Sequence, residues 1–394
     1  MIPYPEARAI VLGQARPFGE ETVPLEQAFG RVLTGSVRAD RDYPPFPRAT
    51  MDGVALRSAD LESGLRRFVV VETIMAGEIP VRPLGPGECY KIMTGAAVPV
   101  SADIVIRRED LQEKEGVILP GAHPWRRYQN IARQGEDLVA GSLVIDSPCL
   151  CEASVIGLLA TLGRTSVRVA RAPDVGLLTT GNEVVAPGAD VGAVQIRNTN
   201  RWLLEAALKK FGAGITDWVH APDDPVILRR EVQRLLEQDM VIISGGVSAG
   251  DADHVPAVLE AAGVRPLFHK IAIRPGKPVW AGVAPRGQMV FALPGNPFSS
   301  FVTSLMLIRP YLQACFGLPP TEPLGLLLGA ARKKRSPLDE FFPALLQGTP
   351  ARLMPMPINT SGDIRLGMQA NMLALHPADS GDLEAGETVL CYPI

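Results

Sequence analysis

Val241-Ile242-Ile243-Ser244-Gly245-Gly246-Val247-Ser248-Ala249-Gly250-Asp251-Ala252-Asp253-His254 is the stretch whose reading organises the chain. The apolar run Met240 to Ile243 predicts a buried strand of a parallel sheet. It breaks into Ser244-Gly245-Gly246, where missing side chains let backbone N–H groups come close to a ligand. Ser248, Asp251 and Asp253 follow, and the apolar spacing then predicts a helix from Val255 to Ala262, stopped by Gly263. Strand, glycine loop and helix start together favour an anion, because the orphan amides and the helix dipole point the same way. Carboxylates beside such a site repel an anion unless a hard cation lies between them. A phosphate-bearing ligand with Mg2+ satisfies both conditions. So does an ordinary strand–turn–helix whose Asp residues cap the helix, and these fourteen residues alone leave both readings open.

Composition narrows the class of protein. A chain of 394 residues exceeds one ordinary core, so roughly two to four domains are expected. With 39 basic and 42 acidic residues there is no basic excess to suit nucleic acid or a membrane surface. Arg332-Lys333-Lys334-Arg335 is the one basic run, and its simplest reading is solvated surface. The five cysteines are scattered, with no disulfide framework or zinc spacing. No leader pattern and no stretch of roughly 18 apolar residues appear, so a cytoplasmic protein is expected.

Residues 1–40 read as helical, with Ala7, Ile10, Val11 and Ala15 on one face and a second short helix from Leu25 to Phe29. From 45 to 140 short β-branched runs (Phe68 to Thr73, Cys89 to Met93, Asp103 to Arg107, Val117 to Leu119) predict a β domain inserted into that helical unit. The unit resumes at 141–173 with a helix from Glu152 to Leu162. Strand–helix alternation over 174–318 predicts an α/β domain, with helices started by Asn198-Thr199-Asn200 and by Asp224-Pro225. Trp202, Ala206 and Leu208 are expected among the apolar positions of the first, and Leu228, Val232 and Leu235 as the buried stripe of the second. Further strands are expected at His269 to Ile273, Val279 to Val283 and Met289 to Leu293, followed by a helix from Ser299 to Leu312. Residues 319–394 return to short strands and predict a small C-terminal β domain.

In open α/β sheets ligands gather at the carboxyl ends of the strands. Thr179 to Glu183, Ser244 to Asp253 and Pro294 to Ser299 are therefore expected to line one crevice, with Glu183 and Asp253 as hard-oxygen ligands for Mg2+. Lys270 and Arg274 share a strand face if the strand persists, and the prolines stiffen the turn that carries Lys277. Three held cations suit a phosphate or another oxyanion. An edge strand armed against aggregation is the competing reading. Asp52, Asp137 and Thr94-Gly95 sit in glycine-flanked turns and, on residue type alone, are turn formers.

Taken together, Met51-Asp52-Gly53, Ile92-Met93-Thr94-Gly95, Gly135-Glu136-Asp137, Thr180-Gly181-Asn182-Glu183, Ser244 to Asp253, Arg274-Pro275-Gly276-Lys277-Pro278 and Leu293-Pro294-Gly295-Asn296-Pro297 resemble, in order, the molybdopterin molybdenumtransferases of MoeA and gephyrin E-domain type. The resemblance implies a homodimer of four-domain subunits: a helical dimerisation domain (1–44 with 141–173), an inserted β domain (45–140), a three-layer α/β molybdopterin-binding domain (174–318) and a C-terminal β-barrel-like domain (319–394). It implies a reaction that takes adenylylated molybdopterin and molybdate, cleaves the phosphoanhydride, releases AMP and leaves molybdenum on the dithiolene. Other molybdenum cofactor biosynthesis proteins would be further partners. It also implies catalytic roles for Asp52, Asp137, Asp223, Lys270 and Arg274, with Asp52, Thr94 and Asp137 acting on the partner's cleft. Gly245, Gly246, Ser248, Lys277, Pro294, Gly295, Asn296, Pro297 and Ser299 would bind substrate beside Thr94, and Glu183 and Asp253 would hold Mg2+.

The chain departs from that pattern in places. Asn182 stands where many relatives carry Asp, Arg274 where Lys is common, and Gly367-Met368 follows Asp363-Ile364-Arg365-Leu366 where a serine-rich stretch is frequent. Two rival functions remain at this level: a molybdopterin adenylyltransferase, which shares the α/β domain, and a non-catalytic molybdopterin-binding scaffold.

Overall fold

The computed structural model describes residues 1–247, 254–360, 362, 363, 365 and 370–394. Ser248, Asp251 and Asp253 therefore lie outside the described residues. The α/β unit is built on a six-stranded sheet in the order Gly214–Ala221, Asp174–Thr180, Met240–Ser244, Met289–Leu293, Trp280–Val283, Arg265–His269. The first four strands are parallel and the last two join antiparallel, so the sheet is mixed. Met240, Val241, Ile242 and Ile243 are fully buried, as a central strand covered on both faces demands. Thr199–Lys210 and the run from Pro297 to Cys315 cover one face; Pro225–Leu235 and Val255–Ala261 cover the other.

Local sequence explains the helix starts. Asn198 accepts the Arg201 N–H, and Asp224 accepts those of Val226 and Ile227 ahead of Pro225 in the first turn. Leu228, Val232 and Leu235 are buried as their spacing requires, each contributing about 1.5–3 kcal/mol of burial. Of the apolar positions on Thr199–Lys210, Trp202 is 55% exposed and Ala206 is exposed as well, because the face that packs is Leu204, Ala207 and Leu208. The helix expected from Ser299 to Leu312 runs from Pro297 to Cys315 with a π turn at Ser304–Ile308. That turn lies just ahead of Pro310, whose missing N–H interrupts the α ladder.

The 45–140 segment carries a six-stranded sheet in the order Ile104–Arg107, Gly53–Leu56, Glu88–Ile92, Phe68–Ile74, Val117–Pro120, Leu111–Lys114. The expectation that residues 1–40 are helical is corrected. Only Tyr4–Leu12 is α-helix, and Leu25–Gln27 is a single 3-10 turn. Glu20–Pro24 and Val32–Leu33 instead join Ser166–Ala170 and Cys149–Leu150 in a four-stranded sheet. Strands this short show no periodicity, and their partners lie far along the chain. Helix Tyr4–Leu12 buries Tyr4, Ala7 and Val11 in the same core as the α/β sheet.

A further sheet is ordered Ile273–Arg274, Asp339–Gln347, Met372–His376, Thr388–Pro393, Leu324–Leu327. The strand expected from His269 to Ile273 is thus split. Arg265–His269 ends in the α/β sheet, Lys270 turns with φ +71°, and Ile273–Arg274 pairs with Asp339 and Glu340 instead. Lys270 and Arg274 therefore share no strand face.

Candidate active site

Thr180, Ser244 and Leu293 end three adjacent parallel strands, and the loops that follow frame a cleft of about 850 Å3. Thr180, Gly181, Glu183, Asp223, Gly245, Gly246, Gly295, Asn296 and Pro297 line it, so the described parts of the three expected loops do converge. Gly245 and Gly246 have φ of +106° and +66°, and a Cβ on Gly245 would meet Thr180 Oγ1 at 2.6 Å. Only glycine leaves this turn unstrained with no side chain over its backbone, and the Gly245 N–H itself donates to the Leu293 carbonyl at 3.1 Å. Behind it, the Asn200 amide donates to Ser244 Oγ at 2.8 Å and to the Gly295 carbonyl at 2.6 Å, tying two of the loops together. The Asn198 amide donates to Thr179 Oγ1 at 2.9 Å. Among the described residues, Thr180 Oγ1 and Asn200 Oδ1 are buried without a hydrogen-bond partner. Two unspent polar atoms in a cleft wall are a place for ligand polar groups.

Glu183 and Asp223 bring two carboxylates to this cleft, and the Asp223 N–H donates to Asn182 Oδ1 at 3.2 Å. Asn182 thus fastens one loop to the other. Among the described residues no group of three metal-capable side chains gathers. One or two carboxylates with water and substrate phosphates are nevertheless the usual surroundings of Mg2+. The donor set therefore fits Mg2+, with Glu183 its described member.

Pro278, Pro294 and Asn296 also line a second cavity of about 410 Å3, so the two are neighbours. Four cations border it: Arg274, Lys277, Arg332 and Arg335, with buried Ser299 alongside. Arg274 Nη1 donates to the Arg335 carbonyl at 2.8 Å, so residues far apart in sequence fix one another. Lys270 lines neither cavity; its N–H donates to the Val279 carbonyl and its own carbonyl accepts from Ile2. Arg332 and Arg335 were missed as site residues. Their signal was the basic run at 332–335, which reads as surface until the chain around it is folded.

Asp52, Thr94 and Asp137 do not line either cavity. Asp52 and Thr94 form a couple of their own, in which both the Thr94 N–H and its hydroxyl donate to Asp52 Oδ1. Those two bonds hold the Asp52 carboxyl below the usual carboxylate range. The Asp137 N–H donates to the Tyr43 carbonyl at 2.9 Å and its side chain is exposed.

The cleft lies at the strand ends of a mixed α/β sheet, largely within residues 176–314, which match the family model described as a probable molybdopterin binding domain. Residues 2–163 match the model of the MoeA N-terminal region, domains I and II. The molybdopterin molybdenumtransferase of Synechococcus elongatus is 34% identical over 403 residues, covering 99% of this chain and 98% of the relative. That of Synechocystis is 31% identical over 401 residues, covering 100% and 99%. Of solved structures, a MoeA protein from Pyrococcus horikoshii superimposes with a TM-score of 0.80 at 31% identity, covering 99% of this chain and 98% of its own. The chain belongs to the MoeA family of molybdopterin molybdenumtransferases.

Proposed function

We propose that this protein inserts molybdenum from molybdate into adenylylated molybdopterin, cleaving the phosphoanhydride and releasing AMP. One observation carries the reading: the cleft with carboxylates and the glycine turn adjoins a cation-lined cavity through Pro278, Pro294 and Asn296. A pterin phosphate and molybdate are both anions and repel one another, so each needs donors of its own, and here two such sites would lie side by side.

In this account Gly245 and Gly246, with Ser248, hold the phosphate, and Asn296, Pro297 and Ser299 orient the pterin nucleotide toward the cations. Arg274 and Lys277, joined by Arg332 and Arg335, capture molybdate and neutralise charge that develops on the phosphate. Lys270, outside both cavities, would act through the turn that carries them. Glu183 and Asp253 would hold Mg2+, which when bound screens the phosphoanhydride. Asp223 shares that cleft and bears on the same bond. Asp52, Thr94 and Asp137 would reach a partner subunit's cleft in a homodimer, with Asp52 kept as a carboxylate by Thr94 and suited to orient the attacking oxygen.

The adenylyltransferase reading is not favoured, because full-length relatives named molybdenumtransferase match both the N-terminal region and the C-terminal sheet. Among the described residues no helix is long and apolar enough to cross a membrane.

The test is molybdate-dependent release of AMP from adenylylated molybdopterin. Arg274→Ala and Lys277→Ala should each raise the KM for molybdate on the order of tenfold or more, as removal of a charge-assisted contact does. Glu183→Gln should raise the Mg2+ concentration needed for half-maximal rate. Unchanged molybdate dependence in both cation variants would sink the assignment.

A further inference from the structure

Arg332 is held from three directions. Its Nη2 lies 2.7 Å from Glu340 Oε2, its Nη1 lies 2.5 Å from His376 Nδ1, and its guanidinium carbon stands 4.2 Å over the Phe342 ring. Glu340 is 2% exposed and His376 fully buried. His376 Nε2 is 2.7 Å from the Gly381 carbonyl, which only accepts, so Nε2 carries the hydrogen. That leaves Nδ1 as a lone pair for the Arg332 N–H, and the neighbours thereby select the neutral imidazole. Glu340 Oε1 meanwhile accepts the Arg335 N–H at 3.0 Å. Lys334 is spent elsewhere, donating to the carbonyls of Leu338 and His376 at 3.2 Å and to that of Pro377. The basic run is thus sorted: Arg332 and Arg335 line the cavity, and Lys334 fastens the loop.

We propose that Glu340 and His376 are positioning residues for the oxyanion cavity, fixing the Arg332 guanidinium so that its remaining N–H groups meet the anion in one orientation. The proposal rests on the reading of that cavity as the molybdate site. A guanidinium held by an ion pair at one nitrogen and a hydrogen bond at another loses little freedom when it binds. The tether also makes anion capture conditional on neutral His376. A proton on Nδ1 would set imidazolium against guanidinium. Of the charged groups that face His376, Arg332 and Lys334 oppose that proton and Glu340 favours it; burial opposes it most, holding the imidazole below its ordinary range.

The experiment measures the Kd of molybdate by equilibrium dialysis with the full-length protein, from pH 7.5 to 5.5. His376→Ala and Glu340→Gln should each raise the Kd roughly tenfold at pH 7.5, the scale of losing a partner behind a preorganised ligand group. His376→Gln presents an uncharged amide oxygen to Arg332. It should restore binding at pH 7.5 and abolish the part of the acid weakening that wild type shows beyond it. Molybdate speciation is common to both proteins at each pH, so it cancels in that comparison. Thermal denaturation of each variant separates misfolding from mispositioning, and the soluble His376→Gln protein keeps the comparison decisive if His376→Ala fails to fold. If Arg332→Ala weakens molybdate while His376→Ala and Glu340→Gln do not, the positioning role is overturned and the site reading survives. If neither Arg332→Ala nor Arg274→Ala changes binding, the site reading itself fails.

Discussion

Thr94 gives Asp52 two hydrogen bonds at one oxygen, backbone N–H and hydroxyl each at 2.7 Å, although forty-two positions separate them in sequence. The couple joins the turn after strand Glu88–Ile92 to the turn before strand Gly53–Leu56. Both bonds favour the charged form of Asp52, whose pKa is lowered, so activity that needs this carboxylate persists as pH falls below the ordinary carboxylate value. Thr94→Val removes the hydroxyl and keeps the amide. The acid limb of the AMP-release profile should move to higher pH, and the neutral-pH rate should fall several-fold. A limb that stays in place would detach Asp52 from the chemistry.

Gly245→Ala should be far more damaging than its size suggests. The new methyl would sit 2.6 Å from Thr180 Oγ1 on a residue with φ +106°. Strain of about 1–3 kcal/mol is expected, with displacement of the amides from the cleft floor. Thermal unfolding should report the first effect, and titration with molybdopterin should report lost binding in the protein that remains folded.

The thiols should take no part in the reaction. Burial pushes Cys89 up to about 12 and Cys391 up to about 11, and leaves Cys151 and Cys315 raised as well. Cys149 is raised too, by burial and by Asp146, but it is only half-buried and so is the accessible one. Iodoacetamide at pH 8 should label Cys149 ahead of the other four in native protein, with AMP release retained. Mass spectrometry of the labelled peptides checks the order.

His376 gives stability a defined pH dependence. Its folded-state pKa is lowered, so in the window below about 6.5 the unfolded chain binds the proton and the folded chain does not. Stability contributed by neutral His376 is complete above that window and declines as pH falls through it. Denaturant midpoints measured from pH 7.5 to 5.5 should fall less for His376→Gln than for wild type; parallel curves would contradict this.

The sequence disclosed most of the α/β unit, since Met240 to Ile243, the Asn198 and Asp224 caps and the stripe of Leu228, Val232 and Leu235 are local signals that tertiary packing reinforces. It also exposed the converging loops, because glycine and asparagine at strand ends have few other uses. The first forty residues misled, as strands of two to five residues draw their stability from partners more than a hundred positions away. Lys270 misled for a related reason: a single left-handed residue ended the strand and turned its neighbours to another sheet. Arg332 and Arg335 stayed hidden because a run of cations has no partner until Glu340 and His376 are folded against it.

The pairing of Ile273–Arg274 with Asp339 and Glu340 carries a consequence for selectivity. Arg274 and Glu340, ladder partners on adjacent strands, both border the basic cavity, so chain that leaves the α/β sheet and chain of the C-terminal sheet form one hydrogen-bonded surface there. A β ladder on that side does not shift to suit a guest. Anions of equal radius and charge would be told apart there by how tightly each holds its own water and how well it accepts from fixed donors, with no tightening of the protein around the favoured one.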